Sequence, residues 1–149
     1  ARYDAQVIVE PWLDGGEYTA AILGEEVLPL IRIEVAGEFY DYHAKYQARD
    51  TRYHCPCGLP AEREREIQQL ALRAFRAVSA LGWGRVDFLL DAQGKAWLVE
   101  NNTLPGMTDH SLVPMAAQAS GIGFEELVWR ILQESLGYRP AEEMDVNQA

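Results

Sequence analysis

Four polar residues at strand-like spacing, Arg85, Asp87, Glu100 and Asn102, carry the strongest chemical signal in this chain. Side chains of an extended strand alternate faces, so Arg85 and Asp87 share one face, and Glu100 and Asn102 share one face of the segment that follows. If Asp91 and Ala96 flank a loop of Ala92, Gln93, Gly94 and Lys95, antiparallel pairing sets Asp87 opposite Glu100 and Arg85 opposite Asn102. The same register sets Leu90 opposite Trp97 and Phe88 opposite Val99 on the other face, whereas a slip of one residue would mix apolar with ionic neighbours. Two facing carboxylates repel each other unless a cation lies between them or one is protonated. Asp, Glu and an Asn carbonyl are hard oxygen ligands, the kind Mg²⁺ accepts while keeping water and phosphate oxygens in the rest of its shell. The pattern therefore points to a Mg²⁺-nucleotide site. The plainer alternative is a surface hairpin with scattered charges.

The chain around this hairpin has 149 residues and 48% hydrophobic content, enough for one domain with a core. A net charge of −10 argues against a nucleic-acid partner, because phosphate backbones are bound through Lys and Arg. An acidic protein that handles phosphates needs metal ions. No apolar run approaches the length that spans a bilayer, so no membrane partner is expected. The sequence lacks an initiator Met and leads almost directly into a strand, which suggests a fragment of something longer. Cys55 and Cys57, in Cys-Pro-Cys, are too few for a disulfide framework or a zinc site and read as reduced thiols in a cytosolic loop.

In chain order, residues 6–10 form a short apolar run read as a strand, ended by Pro11-Trp12-Leu13 and the turn Asp14-Gly15-Gly16. Residues 17–23 and 27–35 read as a hairpin, and residues 39–42 with 44–46 as further strand-like segments rich in aromatics. Regularity then stops between Gln47 and Pro60, and a loop of that length in a compact domain is usually functional. Residues 61–81 follow helical spacing, with Ile67, Leu70, Ala71, Ala74, Phe75 and Val78 on one stripe and Glu62, Glu64 and Glu66 near the start. After the central hairpin, Pro114 suits the first turn of a short helix over 115–120, stopped by Gly121. A second amphipathic helix is expected over 124–136, with Leu127, Val128, Ile131 and Leu132 inward. The order of strands, helix, hairpin and helices predicts an α+β fold around an antiparallel sheet with flanking helices. Residues 1–137 make the domain, and 138–149 a polar tail.

The segments EPWLDGGEYT, ILGEEVLPLIRI, FYDYHAKY, GWGRVDFLLD and VENNTLPGMTDHSLVP resemble the C-terminal part of D-alanine:D-alanine ligases, members of the ATP-grasp superfamily, from about Val7 to Leu136. The resemblance implies that Asp87, Glu100 and Asn102 hold two Mg²⁺ ions, or Mn²⁺ in their place, that bridge the ATP phosphates, with Glu100 touching both. Arg85 would stabilise negative charge on the acylphosphate and on the tetrahedral intermediate after it, with a structural ion pair to Asp87 as its plainer role. Glu10 would reach the adenine amino group, the backbone from Pro11 to Leu13 would read the ring edge, and Glu17 would accept from the ribose hydroxyls. Trp12, Phe39 and Leu89 would line the adenine slot. The stretch around Lys45 and Tyr46 is similar to a loop that closes over the site, with Lys45 near the phosphates and Tyr46 near the substrate. That Lys-Tyr pair favours D-alanine as acceptor over depsipeptide formation. Gly106 and Ser111, with the backbone near Leu112, would bind the second substrate's carboxylate, although Ser111 could equally be a plain helix cap.

The implied activity is ATP-dependent joining of two D-alanines for peptidoglycan synthesis, in the bacterial cytoplasm. The partners are D-alanine, ATP and the N-terminal and central parts of the same enzyme, which as a whole would be a homodimer. The family's other half supplies the first D-alanine site, the phosphate-gripping lysines and a glycine-rich flap, so this stretch alone should be inactive. Another ATP-grasp carboxylate-amine ligase, a D-alanine:D-lactate ligase and a non-catalytic nucleotide-binding domain are the alternatives. Three positions depart from the pattern: Asn101 and Leu104, where small residues are expected, and Asp109, which adds negative charge at the end that would bind a carboxylate.

Overall fold

The computed structural model describes residues 6–34 and 51–137. Phe39, Lys45 and Tyr46, the strand-like segments expected around them and the polar tail lie outside the described residues. In chain order the elements are β1 (Glu17–Leu23), β2 (Glu26–Val27), β3 (Ile31–Glu34), β4 (Arg52–His54), α1 (Ala61–Ala77), β5 (Trp83–Leu90), β6 (Ala96–Asn102), α2 (Leu112–Ala119) and α3 (Phe124–Ser135). The strands form one antiparallel sheet in the order β4-β3-β1-β5-β6, with short β2 turning back on the end of β1. The expected α+β class, an antiparallel sheet with flanking helices, is the observed one.

Helices cover both faces of the sheet. Tyr18, Ala20 and Ile22 of β1 and Val86, Phe88 and Leu90 of β5 pack against Ile67, Ala71 and Phe75 of α1. On the opposite face, Ala21, Leu23, Ile31 and Ile33 pack against Leu112, Val113, Ala116 and Ala117 of α2 and Leu127 of α3. β1 is central and covered on both sides, so it reads as a nearly continuous buried run, while β3 nearer the edge alternates buried Ile with exposed Arg32 and Glu34.

Several elements differ from the sequence reading, each for a local reason. Residues 6–10 form no strand, and Val7, Ile8 and Val9 are exposed. The strand expected over 27–35 breaks at Leu28-Pro29-Leu30, because Pro29 has no N–H to give to a ladder. Side chains from α1 take up the freed backbone groups: Leu30 N donates to Glu64 Oε1 at 2.9 Å and Gln68 Nε2 donates to Leu28 O at 3.2 Å. The irregular stretch up to Pro60 contains β4, which pairs with β3 through Arg32–His54 and Glu34–Arg52. α1 stops at Ala77 rather than residue 81, with Ser79 in the left-handed region at φ 56°. α2 starts three residues earlier than expected, at Leu112, and keeps Pro114 in its first turn. In α3 only Leu127 is fully buried; Val128 and Leu132 are exposed, together with Phe124 and Trp129.

The turn of the central hairpin is fixed by one carboxylate. Asp91 accepts hydrogen bonds from Gln93 N (3.0 Å), Lys95 N (2.8 Å) and the Trp97 indole Nε1 (3.0 Å), and the Lys95 ammonium lies 4.2 Å from the Trp97 ring centre. The indole bond, more than any other contact, holds the Asp91 carboxyl below the ordinary aspartate range, and the Lys95 and Gln93 amides add to it. A depressed folded-state pKa means the cap's contribution is present above the ordinary value of about 3.9 and lost as pH falls through the lower folded value. An NMR titration of the Asp91 carboxyl carbon should therefore give a midpoint below that of a free aspartate; a midpoint at or above it would contradict the cap. At the other end of β5, a Cβ on Gly84 would meet Phe75 Cε2 at 2.5 Å and Asn102 O at 3.0 Å. Gly84→Ala should cost about 1–3 kcal/mol in urea unfolding by overpacking, and unchanged stability would contradict the tight seat of Phe75.

Candidate functional site

Pairing across β1, β5 and β6 places the site residues in rows on the sheet face that also carries α2 and α3. Glu17, Leu89 and Trp97 form one row, Thr19, Asp87 and Glu100 the next, and Ala21, Arg85 and Asn102 the third. In the middle row exposure rises toward β6: Thr19 and Asp87 are 1% and 5% exposed, whereas half of the Glu100 side chain is open to solvent. Thr19 and Ala21 on β1 are thus buried, Trp97 and Glu100 on β6 are exposed, and Glu17 and Asn102 are half-buried.

The expected pairs Asp87–Glu100 and Arg85–Asn102 are both present. The expected partners on the apolar side are not. Phe88 pairs with Leu98, Leu89 with Trp97 and Leu90 with Ala96, and an irregularity between Asp87 and Phe88 leaves Val99 as the extra residue on β6. The turn is tighter than a four-residue loop, since Asp91 N donates to Lys95 O at 3.0 Å, and the bulge restores the register before the polar pairs are reached.

Arg85 grips Asp87 with a two-pronged contact, Nε to Oδ1 and Nη2 to Oδ2, each at 2.8 Å, and its Nη2 lies 4.0 Å from Glu100 Oε1. The side chains of the pair are 14% and 8% exposed, so this is a nearly buried ion pair and the facing carboxylates are bridged by a guanidinium. Thr19 Oγ1 donates to Asp87 Oδ1 at 2.6 Å, a contact the sequence reading missed. Its signal was the two-residue spacing from Glu17, which puts Thr19 on the same face. Asn102 Oδ1 accepts from Leu104 N at 3.2 Å. The donor set fits Mg²⁺: two carboxylates and one amide oxygen on adjacent strands are hard ligands, too few to close a shell, as suits an ion that brings phosphate oxygens with it. Cys55 and Cys57 are both free thiols, Cys57 buried and Cys55 half-buried. Both thiols are pushed up from their ordinary value, first by burial, and so are poor nucleophiles at neutral pH.

The other predicted residues fall into two groups. Glu17 and Leu89 are paired directly, in the row next to that of Thr19, Asp87 and Glu100. The segment before β1 is pinned beside them, because Gly15 N donates to Leu90 O and Leu90 N to Gly16 O, each at 2.9 Å, and a Cβ on Gly15 would lie 2.3 Å from Asp91 O. Glu10 and Trp12 are exposed, Trp12 by 64%, and Leu13 is half-buried, so these residues do not by themselves close a slot. Gly106 and Ser111 are brought together, since a Cβ at Gly106 would stand 2.9 Å from Ser111 Oγ. Ser111 occupies the N-cap position of α2 but does not cap it; its hydroxyl instead accepts from Thr108 N at 2.9 Å. Of the departures, Leu104 is exposed, Asp109 lies 3.6 Å from His110 at the surface, and Asn101 turns toward α1 to donate to Ala74 O at 3.2 Å.

Removing one partner of a nearly buried ion pair strands the other, so Arg85→Ala should lower stability by about 3 kcal/mol. In an Asp87→Asn background the same change should cost at least about 1 kcal/mol less. Additive losses in urea unfolding would rule out the pair.

Residues 1–133 match the family described as D-ala D-ala ligase C-terminus. The chain is similar to the D-alanine–D-alanine ligase of Alkalilimnicola ehrlichii, with 64% identity over 135 residues, covering 91% of this chain and 43% of that one. It is 59% identical to the D-alanine–D-alanine ligase of Methylococcus capsulatus over 133 residues, 89% of this chain and 43% of that one. Among solved structures, the ligase of the same description from Coxiella burnetii superposes with a TM-score of 0.73 at 27% identity, covering 91% of this chain and 36% of that one. That from Bacillus anthracis, complexed with ATP, gives 0.71 at 32% identity over 85% of this chain and 40% of that one. The chain thus spans less than half the length of the curated relatives it matches.

Proposed function

The chain belongs to the family of D-alanine–D-alanine ligase C-terminal domains, and from that membership we propose that it forms the metal-, nucleotide- and acceptor-binding part of an enzyme that joins two D-alanines at the expense of ATP. The observation that carries the proposal is the paired placement of Asp87 with Glu100 and Arg85 with Asn102 on one sheet face, with Glu100 open to solvent. In the proposed reaction the γ-phosphoryl group of ATP passes to the carboxylate of the first D-alanine. The amine of the second attacks the acyl carbon, losing a proton, and phosphate leaves with D-alanyl-D-alanine and ADP as the other products.

Within that scheme Asp87, Glu100 and Asn102 would hold Mg²⁺, two ions or Mn²⁺ in their place, which when bound neutralises phosphate charge. Arg85, held beside the metal ligands, would donate to the oxygens that gain charge at the acyl carbon, a role whose loss typically costs ~10²–10³ in rate. Glu17 would accept from the ribose, Leu89 would pack on the base, and Glu10, Trp12, Leu13 and Phe39 would complete the adenine site. Lys45 would face the phosphates and Tyr46 the substrate, in a loop that excludes water from the acylphosphate. Gly106 and Ser111 would meet the acceptor carboxylate; the hydrogen bond from Thr108 N holds the Ser111 hydroxyl at the start of α2, where free N–H groups favour an anion. Residues 1–137 would form this domain, and residues supplied by the rest of the enzyme would bind the first D-alanine. A cytoplasmic location follows from the use of ATP, and assembly as a homodimer rests on the family resemblance alone.

In the full-length protein, Asp87→Ala and Glu100→Ala should each reduce D-alanine-dependent phosphate release by at least ~10²-fold, and Arg85→Ala by ~10²–10³-fold. Turnover preserved in Asp87→Ala would overturn the assignment, and a screen in which D-lactate replaces D-alanine as the preferred acceptor would redirect it. The 149-residue chain by itself should form no dipeptide when incubated with ATP, Mg²⁺ and D-alanine; measurable synthesis would contradict the need for a second half.

A further inference from the structure

Thr19 is a fully buried hydroxyl at the centre of β1, opposite Asp87 in the strand register, and it is not among the residues the ligase scheme above employs. A hydroxyl has one proton to give. Thr19 Oγ1 lies 2.6 Å from Asp87 Oδ1 and 3.4 Å from Val86 O, so the carboxylate is the acceptor. The β-branched side chain has few rotamers in a strand, and the backbone of β1 therefore sets the direction of the donor.

The contacts on the two oxygens of Asp87 are unequal. Oδ1 accepts from both Thr19 Oγ1 and Arg85 Nε, whereas Oδ2 accepts only from Arg85 Nη2 among the described residues. Each carboxylate oxygen has room for about two partners, so Oδ1 is filled from the protein side and Oδ2 keeps acceptor capacity. The same Arg85 Nη2 lies 4.0 Å from Glu100 Oε1, which puts the Oδ2 side of Asp87 toward Glu100. We propose that Thr19 is a positioning residue: its hydroxyl anchors Asp87 Oδ1 and so presents Oδ2, together with Glu100, to the divalent cation. This rests on the reading of Asp87 as a metal ligand. A donor behind a ligating carboxylate fixes its orientation before the ion arrives, and loss of such partners costs about 10–100-fold in metal affinity.

The test is Mn²⁺ affinity of the full-length protein, read from the electron paramagnetic resonance of the free ion in the presence of ADP. Thr19→Val keeps the shape and removes the hydroxyl; Thr19→Ala removes both and decides the matter should Thr19→Val not fold. Either should weaken Mn²⁺ binding by about 10–100-fold, while Thr19→Ser, which retains the donor, should stay within a few fold of the unaltered protein. A purely structural Thr19 would shift the unfolding temperature and leave the affinity of the folded variants unchanged, which would overturn the proposal. Equal losses in Thr19→Ser and Thr19→Ala would also overturn it, since the hydroxyl would then not be the operative group. Asp87→Asn run alongside separates the two levels: if it leaves Mn²⁺ affinity unchanged, the metal-ligand reading itself fails, whereas weakening in Asp87→Asn with none in Thr19→Val removes only the role of Thr19.

Discussion

Backbone hydrogen bonding between β5 and β6 puts Asp87 opposite Glu100, and two carboxylates held so close set the electrostatic problem that their surroundings solve. Arg85, two residues from Asp87 on the same strand, supplies the compensating charge through its two-pronged contact. The cost of burying Asp87 is met by that guanidinium and by the Thr19 hydroxyl from the neighbouring strand. Glu100, at the edge strand, stays half in water and needs less compensation. In the proposed role the two carboxylates would be shared between this arginine and a divalent ion, so that neither would stand as an uncompensated negative charge.

The register is protected by structure on both sides of the polar pairs. At the turn, Asp91 gathers two backbone amides and the Trp97 indole, which fixes a tight connection one residue out of phase with the polar rows. The bulge at Val99 restores the phase, so that Glu100 and Asn102 face the same side as Asp87 and Arg85. On the far side, α1 packs Phe75 against Gly84, where no larger residue fits. Gly84 lies between Trp83 and Arg85 at the start of β5, so the packing of that helix bears directly on where the arginine stands.

Much of this was legible from period-two alternation. The pairs Asp87–Glu100 and Arg85–Asn102 were expected from a four-residue loop and from the mixing of charged with apolar neighbours that a slip would bring; the loop is one residue shorter, and the bulge at Val99 is what returns the strands to that register. The pairing of Phe88 with Leu98 rather than Val99 was not legible, since all the candidate partners on that face are apolar and a bulge costs the pattern nothing there. The break at Pro29 was available in principle, as proline cannot complete a ladder, but the compensating bonds from Glu64 and Gln68 depend on how α1 docks. Residues 6–10 read as a strand from composition, yet a strand needs a neighbour as well as a propensity. The outward placement of Val128 and Leu132 on α3 shows the same limit: amphipathic spacing gives an apolar stripe without saying how wide a surface is there to meet it. Thr19 was overlooked because its two-residue spacing from Glu17 puts it on that face without saying which residue stands opposite.

The central claim is that the β5–β6 face is a divalent-metal site shared by Asp87, Glu100 and Asn102. Anomalous scattering from crystals of the full-length protein grown with Mn²⁺ and ATP tests it most directly. The account predicts an anomalous peak within ligand distance of the side-chain oxygens of all three residues, about 2.0–2.3 Å for such an ion. A peak bound by other residues, with Asp87 still wholly engaged by Arg85 and Thr19, would contradict it.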